Sequence, residues 1–88
     1  MTSYQRSILN AFGNSRMSGK SYAVLQDNDD EEVCLAVSCE ELIQHYNNSN
    51  YSVLTWVHPK IIPCFDEYDI SEDEFSEHMH KHFSLMYN

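Results

Sequence analysis

Residues 22–46 read YAVLQDNDDEEVCLAVSCEELIQHY, and this stretch decides the fold class. Two β-prone runs, 22–26 and 32–37, flank a polar stretch at 27–31, which is typical of a hairpin with a longer loop. Strands joined by so short a loop are antiparallel, because a parallel pair needs a crossover of about a dozen residues or more. The stretch therefore predicts an antiparallel sheet.

A capping box, in which a serine and a glutamate three residues apart cap each other's backbone, occurs twice. Ser38 and Glu41 predict a helix directly after the hairpin, and Ser71 and Glu74 predict a last helix. Apolar residues at helical spacing follow each box. The predicted apolar faces are Cys39, Leu42, Ile43 and Tyr46 for the middle helix, and Phe75, Met79, Phe83 and Met86 for the last helix.

Further elements lie on both sides of these. A first helix is predicted with Ser3 as its N-cap and Gly13 as its end. Residues 51–57 alternate as a third strand does, whereas Pro59 and Pro63 restrict 61–65 to an edge strand or an extended loop. The sequence predicts one α+β domain over residues 1–88, in the order α-β-β-α-β-(β)-α, with an antiparallel sheet of three to four strands and three helices packed on one face.

Composition excludes several classes of protein. Of 88 residues, 42% are hydrophobic and 22% charged, which is too apolar for a disordered chain. No apolar run approaches the roughly 20 residues that span a bilayer, so no membrane partner is predicted. Residues 1–10 lack the pattern of a secretory signal, so we expect the protein in the cytoplasm, that of the host cell if it is phage- or plasmid-encoded.

Catalytic patterns are weak. A Cys–His pair is conceivable, but Cys34 and Cys39 occupy positions that favour small buried residues. Gly13 and Gly19 do not form a phosphate-binding loop. We therefore predict a protein that is not an enzyme and has no cofactor.

The charge is unusual, because 14 acidic residues against five basic ones give a net charge of −9. Residues 1–26 hold Arg6, Arg16 and Lys20 but no acid, so every acid lies in the rest of the chain. The negative charge of the rest of the chain repels phosphates, so direct nucleic-acid binding is not expected. The acids form two dense blocks, which are Asp27, Asp29, Asp30, Glu31 and Glu32, and then Asp66, Glu67, Asp69, Glu72, Asp73, Glu74 and Glu77.

A dense acidic block can simply keep a small protein dissolved, or it can meet a cationic surface on a partner. Three apolar residues, Phe65, Tyr68 and Ile70, are interleaved with the second block, and aromatic residues are frequent interface anchors. We predict a partner with a basic surface, such as a nucleic-acid-binding protein. The predicted contact residues are Asp66, Glu67, Asp69, Glu72, Asp73, Phe65 and Tyr68, with Asp29, Asp30 and Glu31 as a second candidate.

In charge, size and α+β pattern the chain resembles a broad group of small acidic inhibitors. The group includes phage-borne anti-restriction and anti-CRISPR proteins, nucleic-acid mimics, and immunity proteins that neutralise nuclease toxins. The resemblance is one of composition over the whole chain and assigns no role to any residue. It implies a non-enzymatic inhibitor that presents carboxylates where phosphates would sit.

The last helix supports an alternative. Glu74, His78 and His82 are spaced one turn apart, so all three lie on one face and are candidate ligands for a divalent metal. The pattern is not H-E-x-x-H, and a solvated histidine-rich helical face beside the apolar stripe is the preferred explanation of it. A further alternative is a homodimeric regulatory module, with the last helix or the Trp56 strand at the interface.

Overall fold

The computed structural model describes residues 1–46, 50–60 and 65–83. The elements are α1 (Ser3–Ser18), β1 (Tyr22–Asp27), β2 (Cys34–Ser38), α2 (Cys39–His45), β3 (Tyr51–Val57), a 3₁₀ turn (Asp66–Tyr68) and α3 (Glu72–Phe83). The α+β class and the order of helices and strands are confirmed. The suggested fourth strand at 61–65 falls almost entirely on residues outside the described ones, as does Met86.

The three strands form one antiparallel sheet in the order β2-β1-β3. Tyr22 at the start of β1 pairs with Ser38 on one side and with Val57 on the other. The hairpin and the third strand are thus confirmed. The pairing with β3 shifts between Val24 and Leu25, so that Leu54 is an extra residue without a partner on β1.

Helix α1 differs from the prediction at both ends. Its N-cap is Thr2, whose side chain accepts from the Gln5 backbone, and it runs on to Gly19, which ends it in the left-handed conformation with φ 72°. Gly13 is buried inside the helix, and a Cβ there would collide with the Phe83 ring of α3. The glycine permits close helix packing, and its prediction as a helix end was wrong.

The helices cover both faces of the sheet, so the prediction of one covered face was also wrong. The reason lies in β1, where Ala23, Val24 and Leu25 are all fully buried. Because neighbouring residues on a strand point to opposite faces, both faces of this strand need cover. On one face Val24 joins a cluster of Ile8, Leu9, Ala11, Phe12, Val57, Ile70, Phe75 and Met79; on the other Ala23, Leu25 and Val37 pack with Leu42 and Tyr46.

The two capping boxes begin helices where predicted. In α2, Ser38 and Glu41 cap each other reciprocally; before α3, the Ser71 hydroxyl accepts from the Glu74 backbone. The apolar face of α3 buries Phe75 and Met79, but α2 leaves Cys39 and Ile43 exposed, so that half of its predicted face was wrong. Within 1–46, 50–60 and 65–83, no helix has the length and apolarity needed to cross a bilayer.

Candidate functional site

The acidic turn Asp66–Tyr68 is fastened to the start of α1 by one side chain. The Gln5 amide donates from Nε2 to the carbonyl oxygens of Tyr68, at 3.1 Å, and Asp69, at 3.0 Å. Its Oε1 accepts from the Thr2 backbone at 2.8 Å, which completes the cap of α1. A single residue therefore both begins the helix and positions the turn that carries the second acidic block.

The two predicted aromatic anchors are packed into the protein itself. The Tyr68 ring lies 6.2 Å from the Tyr4 ring and 6.3 Å from the Phe12 ring, measured between centroids. The Phe65 ring lies 5.1 Å from Phe75 in an edge-on arrangement. Both rings are partly buried against the core cluster. They stabilise the acidic turn, and only their exposed parts are left for a partner.

Three carboxylates of the second acidic block line one depression of about 390 Å³. Asp66 and Asp69 reach it from the turn, and Glu74 reaches it from the first turn of α3. Glu74 was predicted as a capping residue and a candidate metal ligand but was not among the predicted contact residues. Glu72 and Asp73 are exposed on the same turn of α3 but do not line the depression, whose other walls are Phe65, Ile70 and Ser71.

The first acidic block uses part of its charge to shape the hairpin loop. Asp30 Oδ1 accepts from the Glu32 backbone at 3.0 Å, and Asp27 Oδ1 accepts from the Asp29 backbone at 2.9 Å. The Gln26 amide donates to the Glu31 carbonyl at 3.0 Å. Asp29, Asp30 and Glu31 are all exposed, and Asp30 in addition holds the loop through its Oδ1.

Tyr4 lies between the two acidic blocks. It lines a cleft of about 600 Å³ together with Glu31 and Glu32. Its ring centroid also lies 6.2 Å from that of Tyr68 in the acidic turn. Burial, followed by Tyr68 and the charge of Glu67, raises the pKa of its hydroxyl. The Ser3 hydroxyl accepts from the Cys34 backbone at 3.1 Å and so fixes this end of α1 to β2. The start of α1 therefore contacts both the hairpin that carries the first acidic block and the turn that carries the second.

The protein's own bases leave this surface largely uncompensated. All 14 carboxylates belong to the described residues, among which the one ion pair joins Lys20 Nζ to Glu40 Oε1 at 3.2 Å. Arg16 instead places its guanidinium 5.6 Å from the centre of the Phe75 ring, and Arg6 donates to the Met1 carbonyl. The acidic blocks therefore keep most of their charge for a partner or for solvent.

The predicted metal ligands come only partly together. His78 and His82 lie with their ring centroids 4.4 Å apart, and Glu74 lines the same depression of about 200 Å³. In the part of the chain that the structure describes, no three His, Cys, Asp or Glu side chains are grouped to hold a metal ion. The histidine pair is in place, and the carboxylate is nearby without forming a triad with it.

A serine–histidine contact was not predicted. Ser21 Oγ and His58 Nδ1 lie 2.6 Å apart, just before β1 and just after β3. The pair becomes visible only once Tyr22 is known to pair with Val57, because that register sets the two flanking residues opposite each other. Both belong to the exposed end of the sheet, and the contact ties the two strands together there.

The roles of Tyr4 and Gln5 were also missed from the sequence. One signal was present for Gln5, because Thr2 and Gln5 have the spacing of a capping box. Its bonds to Tyr68 and Asp69 join residues distant in sequence, and no local pattern encodes them.

Comparisons of the chain with protein-family models, with curated proteins and with solved structures find no match in any of the three.

Proposed function

We propose that the protein is a non-enzymatic binding protein whose acidic surface occupies a basic surface of a nucleic-acid-handling protein. The observation that supports this most is the position of Tyr4, which lines a cleft with Glu31 and Glu32 and whose ring centroid lies 6.2 Å from that of Tyr68 in the acidic turn. Complementary charge steers association and selects partners. A surface with so many carboxylates outside ion pairs fits a strongly cationic partner.

In this proposal the carboxylates stand where phosphates would be. Double-stranded DNA carries one negative charge per about 1.7 Å of helix axis, so a protein that binds it presents several basic side chains close together. A compact acidic patch competes with DNA for the same basic side chains. The protein would then be a DNA mimic and an inhibitor, of the anti-restriction, anti-CRISPR or nuclease-immunity type, acting in the cytoplasm of the cell that contains its target.

We propose a contact surface built on the acidic turn. Its centre is the turn with Asp66, Glu67 and Asp69, to which the depression adds Glu74. The exposed parts of Phe65 and Tyr68 contribute apolar contact. Its margins are Glu72 and Asp73 on α3 and Asp29, Asp30 and Glu31 on the hairpin loop, where Asp30 also shapes the loop.

The test begins with capture of a partner from host lysate on the immobilised protein, followed by affinity measurements on the purified partner. The test variant is Asp66→Asn with Asp69→Asn; asparagine tolerates the left-handed conformation of residue 69, whose φ is 56°. The matched control is Glu40→Gln with Glu41→Gln on α2, at the other face of the sheet. Glutamine at 41 can still form the capping box.

Both variants remove two negative charges, so a difference between their affinities reports the position of the lost carboxylates and not the change in net charge. We expect the Asp66/Asp69 variant to bind at least tenfold more weakly, that is by about 1.4 kcal/mol or more, at low salt. The control should bind nearly as well as the original protein. Raising the salt concentration should reduce the difference in affinity between the original protein and the Asp66/Asp69 variant. Equal losses for the two variants, or a partner without a nucleic-acid site, would remove the proposal.

One observation favours a second candidate, a homodimeric regulatory module. Strand β3 exposes Val53 (44%), Leu54 (42%) and Trp56 (39%), and Ile43 of α2 is 63% exposed. Exposed apolar residues grouped on one strand are typical of contact surfaces. Light scattering over a range of concentrations tests this, since a protein that stays monomeric at high concentration is not a homodimer.

A further inference from the structure

Two imidazoles lie together on α3, outside the acidic turn. The ring centroids of His78 and His82 are 4.4 Å apart, and the ring planes are tilted by 42°. Metal–nitrogen bonds to imidazole are about 2.0 to 2.1 Å long, so two rings bound side by side to one ion have centroids about 4.5 to 5 Å apart. The pair is therefore close to the spacing that a shared metal ion requires.

A residue of α1 orients the first of these rings. His78 Nε2 lies 3.0 Å from Asn10 Oδ1. Because an amide oxygen only accepts, Nε2 carries the proton and Nδ1 of the neutral ring keeps a lone pair. Histidines that bind metals usually donate their other N–H to an oxygen in this way, which fixes the tautomer and the direction of the ring.

Charged side chains of both signs line the depression that holds the pair. Glu74 and Glu77 line the same depression and favour a cation. Lys81 also lines it and opposes one, but its exposed, flexible side chain can turn toward solvent. Met1 completes the wall.

We propose that His78 and His82 bind one first-row transition-metal ion, such as Ni²⁺, Cu²⁺ or Zn²⁺, through two imidazole nitrogens, with Asn10 as the residue that positions His78. Water fills the remaining coordination positions, since no third protein ligand is grouped with the pair among the described residues. Imidazole suits these metals, whereas Mg²⁺ and Ca²⁺ prefer oxygen ligands. The two proposed ligands lie outside the proposed acidic contact surface, although Glu74 lines both depressions, and the metal site does not depend on the proposed function.

The test is a titration of the full-length protein with NiCl₂ and, separately, ZnCl₂ by isothermal calorimetry at pH 7.5. The test variants are His78→Gln and His82→Gln, each of which removes one ligand at nearly constant size. The matched control is His80→Gln, because His80 lies between them in sequence and points away from their face of the helix. A fourth variant, Asn10→Ala, removes only the residue that positions His78.

We expect one Ni²⁺ ion per chain at micromolar concentrations. Either ligand variant should abolish that binding, and His80→Gln should leave it unchanged. Asn10→Ala should weaken it by roughly tenfold or more, the usual effect of losing a partner behind a metal-binding histidine. MgCl₂ should give no signal. The absence of saturable binding, or equal weakening by His78→Gln and His80→Gln, would overturn the proposal.

A second measurement on the original protein avoids any variant that folds poorly. Ni²⁺ is paramagnetic, so at low occupancy it should broaden the ring NMR signals of His78 and His82 before those of His45, His58 and His80. Broadening of all five histidines together would assign the binding to histidines in general and exclude a site at this pair.

Discussion

The side-chain amide of Gln5 donates a hydrogen bond to the carbonyl oxygen of Asp69, at 3.0 Å, and so links the first turn of the chain to its most acidic segment. The same amide group donates to Tyr68, and its oxygen caps α1. This relationship explains how a highly charged turn keeps one conformation despite repulsion between its carboxylates. The proposed contact surface depends on it.

Replacing Gln5 by alanine should destabilise the protein by about 1 to 3 kcal/mol, because one half of the capping box and two hydrogen bonds to the acidic turn are lost together. Urea unfolding measures this. Gln5→Glu is the informative control: it can still cap Thr2 but cannot donate to Tyr68 or Asp69, so it should destabilise the protein as well. If Gln5→Glu unfolds as the original does, the bonds to the acidic turn contribute nothing.

Gly13→Ala should destabilise the protein, although alanine favours a helix over glycine by about 1 kcal/mol. The added methyl group would meet the Phe83 ring, and overpacking of this kind costs about 1 to 3 kcal/mol. In a Phe83→Ala background the same change should become stabilising, since only the helix preference remains. A double-mutant cycle by thermal unfolding measures the coupling; additive effects would contradict the contact.

Stability should fall as the pH is lowered below about 6.5. His78 has a lowered pKa in the folded state, so the unfolded chain takes up its proton first as the solution becomes acidic. The contribution of this histidine is therefore complete above the unfolded pKa and is lost as pH falls toward the folded one. In a plot of unfolding free energy against pH, His78→Gln should flatten the decrease between these two pKa values. An unchanged slope in the variant would mean that other groups cause the decrease.

The free protein should become more stable when salt is added. Its one ion pair in the described part of the chain, Lys20–Glu40, is exposed and contributes little, while the acidic blocks repel each other. At about 1 M ionic strength the screening length falls to about 3 Å, which removes most of this repulsion. Melting temperatures in low and high NaCl measure the effect, with NaCl and KCl compared to exclude an ion-specific cause. A melting temperature that falls with salt would mean that attraction dominates.

Local patterns predicted the parts of the fold that depend on neighbouring residues. The capping box of Ser38 and Glu41 spans three residues, and it begins α2 as expected. The end of α1 was wrong because Gly13 serves a contact with distant Phe83, and a local pattern cannot distinguish that role from a helix end. The uninterrupted apolar run at 23–25 could have indicated a strand that is covered on both faces, and all three of its residues are buried.

The candidate site was predicted in composition but not in geometry. The acidic segments were identified from charge alone, and Asp66 and Asp69 do share a depression. That Tyr4 lines a cleft with Glu31 and Glu32 and lies near Tyr68 depends on how α1 packs on the hairpin and on the turn, which follows from the tertiary fold. The packing of Phe65 and Tyr68 into the core likewise required the structure.

The most direct test of the acidic surface as a phosphate substitute is competition on the purified partner. Labelled duplex DNA is bound to the partner at constant salt, and the acidic protein is added. We expect full displacement of the DNA, weakened by Asp66→Asn with Asp69→Asn and preserved by Glu40→Gln with Glu41→Gln. A ternary complex in which the partner keeps its DNA while binding this protein would contradict it.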